Sequence, residues 1–190
     1  MQLFKSMSSE RKLLCKVDFF ILSFLFCFYY VSYIDKANIS NAFISGMKED
    51  LKMAQGDLSN VISIYTAGYI IAQIPTTLML LVVRPSYWFP FNGVCWAALT
   101  CCCAAAKTGR AIYAIRFCQG AFESICFSGA MFIMGSWYRA DEIAKRTAIF
   151  CVSGHLGSVS ASLIQSAIHK NLSGSTSLES WRLMFVIDGV

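Results

Sequence analysis

The stretch FFILSFLFCFYYVSYIDKANISNAFISGM, Phe19 to Met47, carries charge at two adjacent positions only, Asp35 and Lys36. It is long enough to cross a hydrocarbon core of roughly 30 Å as a helix. An ionisable side chain at mid-bilayer costs about 2.5–3.5 kcal/mol on insertion scales and persists where it faces a cavity or a partner. A second such pair, Arg116 and Glu123, lies in another apolar run.

The composition agrees with a membrane reading. Of 190 residues, 56% are hydrophobic and 14% charged, against about a quarter charged in soluble domains. Helices are the expected fold, because backbone polar groups in lipid must be satisfied within the segment. The net charge of +5 is scattered among apolar segments and forms no basic stripe, so nucleic acid is discarded as a partner. Nearly all of the nine cysteines fall in apolar runs. The triplet Cys101 to Cys103 points three ways around a helix and presents no metal face. These thiols read as small apolar filler, and no cofactor or metal is expected.

Residues 1–16 are polar and basic and form an expected cytoplasmic tail ahead of a transmembrane half-bundle at 17–190. The apolar run that follows is too long for a signal peptide core, and no small-residue cleavage site closes it. Helices are expected at 17–44, 58–83, 87–106, 111–138 and 147–168, with a partial sixth at 181–190 that stops before it could cross. Asp57 is a candidate N-cap, Pro75 a candidate kink, and Arg84-Pro85 a stop. Ser153, Gly154, Gly157, Ser158 and Ala161 form a small-residue face suited to close helix packing. Lys and Arg weigh slightly toward loops on the side of the N-terminus, which places that end inside. The sequon Asn171-Leu172-Ser173 then falls outside, making Asn171 a glycosylation candidate.

Arg116 and Glu123 are seven residues apart, so they share one helix face at a spacing of about 10 Å. Asp35 and Lys36, being adjacent, point different ways. The four groups sum to zero charge, and a neutral set can be buried. An anion that takes over the cations leaves a carboxylate unpartnered in a low-dielectric cavity, where it binds a proton. This is a physical route to coupling anion uptake to H⁺. The bland alternative is that the charges pair with each other and fix helix packing. His155 is read as a hydrogen-bonding residue in preference to a proton relay. Tyr65 and Tyr69 flank Gly68 and either line a cavity or pack. No phosphate-cradling loop or nucleophile-base arrangement is present, so an enzyme is not expected.

With these residues in view, the sequence resembles the anion:cation symporter branch of the major facilitator superfamily, and within it the fungal allantoate permease family. The resemblance is carried by Tyr33 to Ile39, Asn41 to Leu51, Gly68 to Pro75, Arg116-Phe117 with Glu123, Gly135 to Tyr138 with Asp141-Glu142, and Trp181-Arg182. Asn41 to Leu51 and Phe127-Ser128-Gly129 are most similar to the pantothenate permease branch.

The resemblance implies an all-α integral membrane protein, the N-terminal six-helix half of a twelve-helix alternating-access fold, with the sixth helix truncated. It further implies proton handling by Asp35 and Glu123, and anion contacts from Lys36, Arg116, Tyr33 and Tyr69. The family usually has Arg where this chain has Lys36, which keeps the charge but loses bidentate geometry. Leu183 stands where a second Trp is frequent, and the basic motif between helices two and three is barely recognisable around Arg84-Pro85.

The expected function is half of a proton-coupled transporter for small organic anions, pantothenate- or allantoate-like carboxylates. The plasma membrane is the expected site, and the product is expected to be a fragment, one piece of a split gene or inactive, with a C-terminal half supplied by another chain as the alternative. The rival is a small multispan protein that acts by helix packing with partner chains.

Overall fold

A computed structural model describes residues 12, 14–54, 56–172 and 180–189, without the side chains of 168–172 and 180. The described residues form helices α1 (Leu14–Asp50), α2 (Asp57–Val82), α3 (Pro85–Ala104), α4 (Gly109–Trp137), α5 (Ala140–Leu172) and α6 (Ser180–Gly189). Of these, α1, α2, α4 and much of α5 are long and apolar enough to cross a membrane.

Local chemistry explains where the helices begin and break. Within α1 the helical dihedrals fail at Ser45 and at Gly46, whose φ of 110° suits a residue without Cβ. One further helical turn, Lys48–Asp50, follows. Asp57 is not the cap of α2. Gly56 occupies that position, and Asp57 closes the preceding turn by accepting the Ala54 N–H at 2.8 Å. Pro75 lies inside α2, which continues to Val82. Pro85 opens α3, where a missing N–H costs nothing. Thr108 caps α4, its hydroxyl accepting the Ala111 N–H at 3.4 Å. A turn residue, Ser124, divides α4 into Gly109–Glu123 and Ile125–Trp137.

Glycines set the closest crossings. A Cβ on Gly68 would run into the carbonyl oxygen of Phe117, and one on Gly120 into that of Tyr65. The α2 and α4 backbones therefore touch across two facing glycines. Similarly, α5 lies against α1 through Gly157, opposite the Tyr30 carbonyl, and Gly154, opposite the Tyr29 and Tyr33 rings. Small residues permit this approach where no hydrophobic force drives helices together.

Two apolar cores result. One gathers Ile39, Met47, Val61, Cys103, Ile112, Trp181 and Phe185. The other gathers Leu25, Tyr29, Leu80, Phe89, Ile125, Met134 and Phe150. Along α1 and α4 the residues between these sets, Ser32, Asp35, Arg116, Gln119 and Glu123, are polar and buried. The cores thus bracket a polar layer. Outward faces are apolar instead, with Ile70, Ile71, Ile74 and Leu81 on α2 and Val152, Val159 and Leu163 on α5 exposed, as expected of surfaces that meet lipid or another helix.

Candidate functional site

The layer is built from two ion pairs that cross from α1 to α4. Arg116 Nη1 lies 3.2 Å from Asp35 Oδ2, with both side chains almost wholly buried. Lys36 Nζ lies 3.3 Å from Glu123 Oε1, the lysine side chain 29% exposed and the glutamate 0%. Asp35 and Lys36, adjacent on α1, therefore diverge to separate partners. Arg116 and Glu123 share a face of α4, yet each takes a different group of α1.

Hydrogen bonds hold each carboxylate in place. The Gln119 amide donates to Asp35 Oδ2 at 2.5 Å and to Thr100 Oγ1 at 2.9 Å. The Tyr65 hydroxyl donates to Glu123 Oε2 at 2.5 Å, and Ser32 donates to Glu123 Oε1. A buried carboxylate needs such donors as well as its ion pair.

Lys36 has the open side of the site. Its ammonium stands 4.8 Å from the Tyr33 ring centroid and 5.2 Å from that of Tyr69, within cation–π range. The Tyr29 hydroxyl donates to that of Tyr33 at 3.2 Å. Lys36, Arg116, Tyr65, Thr66, Val61 and Ile62 line a cavity of about 220 Å³. Arg116 reaches it from beneath and packs its guanidinium 5.4 Å from the Phe185 ring.

The six intramembrane residues singled out from the sequence are thus in one connected layer. Asn171 has no described side chain, and Ser173 of its sequon lies outside the described residues. Tyr65, read from the sequence as lining a cavity or packing, borders the Lys36 cavity and also bonds Glu123. Sequence reasoning missed two participants. Ser32 is a hydroxyl residue in an apolar helix, a signal too common to single out. Asp188 on α6 is different: its Oδ2 accepts from Asn38 Nδ2 at 2.9 Å, and the rule that found Asp35, a charge within an apolar run, applies to it equally. Asp18 was missed too. Away from this layer it binds Arg146 twice, at 2.6 and 2.8 Å, tying α1 to α5, while the Arg146 guanidinium stacks 4.3 Å from the Tyr138 ring.

Residues 24–190 match the Major Facilitator Superfamily, and the chain belongs to that family. It is 44% identical over 179 residues to the pantothenate transporter FEN2 of Saccharomyces cerevisiae, covering 94% of this chain and 35% of that protein. It is 39% identical over 181 residues to the pantothenate transporter liz1 of Schizosaccharomyces pombe, covering 95% and 35%. The chain spans about a third of the length of these curated relatives, which are transporters and not enzymes. A bacterial homolog of the human lysosomal transporter Spinster, in an inward-facing and occupied conformation, has the same fold. Its TM-score is 0.79 at 17% identity, over 90% of this chain and 41% of that one. The chain is a multi-pass membrane protein.

Proposed function

We propose that this chain provides one half of a proton-coupled importer of a small organic carboxylate of the pantothenate kind, acting at the plasma membrane. The observation that carries the reading is the Lys36–Glu123 pair. Its cation is partly exposed, framed by two tyrosine rings and open to a cavity, while its carboxylate is sealed behind it. A substrate carboxylate entering beside Tyr33 and Tyr69 binds Lys36 and draws the ammonium from Glu123. Glu123 keeps the Ser32 and Tyr65 donors but loses its countercharge, and an unpaired carboxylate in a low-dielectric site is relieved by a proton. Anion and H⁺ then travel together, with Arg116 adding positive potential under the cavity and Asp35 a second carboxylate.

A cavity of about 220 Å³ is smaller than the roughly 300–1,000 Å³ of most small-molecule sites. Its missing wall is assigned to a second helical half, in keeping with the length of the relatives. The full burial of the Asp35–Arg116 pair favours a helix-packing role for those two residues, the rival reading in its strongest form.

The test is uptake of labelled pantothenate by cells expressing this chain joined to the remaining portion of a relative. Uptake is expected to rise on acidification, to fall at least tenfold in Lys36→Met, and to recover in part in Lys36→Arg. Uptake indifferent to pH and to Lys36→Met in a well-expressed protein refutes the proposal and leaves the packing role.

A further inference from the structure

Counting the layer's charges with Asp188 included changes its balance. Asp35, Glu123 and Asp188 are acidic, and Lys36 and Arg116 are basic. Asn38, three residues on from Asp35 in α1, holds the Asp188 carboxyl at 2.9 Å, so Asp188 interacts with Asp35 and with the Arg116 guanidinium, whose ion pair is with Asp35. Asp35 takes both its bonds on Oδ2, from Arg116 and Gln119, while its buried Oδ1 has no donor. Asn38 already occupies Asp188 Oδ2 as donor.

We propose that Asp35 and Asp188 share one proton, making a second proton site in the layer, separate from Glu123. Two facing carboxylates cannot both stay ionised beside a single cation at low cost, whereas one proton between them removes the repulsion. It also brings the layer from one excess negative charge to neutrality. A protonated Asp188 is a donor for a carboxyl that has one oxygen unserved. The groups facing Asp188 are Asp35 and Asn38 from α1 and Arg116 from α4, with Trp96 and Thr100 of α3 and apolar Ile164 of α5 lining the same groove. Arg116 is the one cation among them, and Asp35 already holds it. Asp188 also borders a groove of about 450 Å³ between α1, α3 and α6, apart from the Lys36 cavity. For its part in transport this site rests on the proton-coupling reading, while the shared proton itself is measurable without uptake.

The experiment is infrared difference spectroscopy of the full chain in lipid nanodiscs, comparing neutral with strongly alkaline pH and following the carbonyl stretch of a protonated carboxyl. A band at neutral pH is expected, lost in Asp188→Asn and in Asp35→Asn and kept in Glu123→Gln. Asn38→Ala, which removes a donor from Asp188 and leaves both carboxyl groups in the chain, is expected to move the band to higher frequency. That variant carries the test if either Asp variant loses its helical circular dichroism. No band in the parent, or a band unchanged in Asp188→Asn and Asn38→Ala, overturns the shared proton. A band lost only in Glu123→Gln also overturns it, while leaving the coupling role of Glu123 standing. A band behaving as expected in a protein without acid-stimulated uptake supports the site and refutes the coupling.

Discussion

Replacing Arg116 by Met removes the cation from a carboxylate that has no route to solvent. Asp35 is 0% exposed and would keep Gln119 as its hydrogen-bond donor. Breaking one member out of a buried ion pair costs about 3–5 kcal/mol, because the remaining charge is desolvated and uncompensated. Every 1.4 kcal/mol or so is a factor of ten, so the ratio of folded to unfolded protein at a fixed denaturing condition falls by about two orders of magnitude or more. Met fills much of the arginine stem's volume beside Phe185, so little of this loss comes from packing. The double variant Asp35→Asn/Arg116→Met removes both charges and leaves the introduced amide's carbonyl to accept from Gln119. It is expected to regain all but about 1 kcal/mol, the scale of one net hydrogen bond. Reversible unfolding in mixed micelles, followed by tryptophan fluorescence, measures both variants at neutral pH. An Arg116→Met protein within about 1 kcal/mol of the parent, or a double variant no better than that single one, refutes the charge-balance reasoning.

Other perturbations follow from the same contacts. Gly120→Ala or Gly68→Ala places a methyl against a backbone carbonyl that cannot rotate away. Each is expected to lose about 1–3 kcal/mol by overpacking, read in the same unfolding assay, and Gly135→Ala, where nothing lies within 4 Å, serves as the neutral control. Tyr65→Phe removes a donor from buried Glu123 and is expected to cost about 1.5–3 kcal/mol, the range for a bond to a charged group. Asp18→Asn weakens the two bonds to Arg146 at the rim of the bundle. Because that pair is partly exposed, the expected loss is at most about 1 kcal/mol, and it shrinks at high salt.

The charged core of the site was legible because apolar sequence makes an ionisable residue conspicuous. Asp35, Lys36, Arg116 and Glu123 each interrupt a hydrophobic run, and the one-residue and seven-residue spacings fix which can share a face. Which acid meets which base was not legible, since pairing depends on the rotation of α1 against α4. That rotation is set by Gly68 and Gly120 drawing α2 onto α4 and by Gly154 and Gly157 drawing α5 onto α1. Ser32 was beyond reach for a related reason: a Ser or Thr hydroxyl in a membrane helix commonly bonds back to its own backbone, as Thr66 does to Ile62 and Ser160 to Leu156. Asp188 was available and overlooked, and without it the layer counts as neutral. Which apolar residues of α1 join which core, Leu25 and Tyr29 in one and Ile39, Phe43 and Met47 in the other, was settled by the fold.

The central claim is that Glu123 takes a proton when an anion occupies Lys36. The direct measurement is pH outside weakly buffered proteoliposomes that hold this chain joined to a relative's remaining portion, recorded as pantothenate is added. The account predicts alkalinisation that follows pantothenate uptake and disappears in Glu123→Gln, with binding of pantothenate retained. Uptake without any change in external pH, or alkalinisation undiminished in Glu123→Gln, contradicts it.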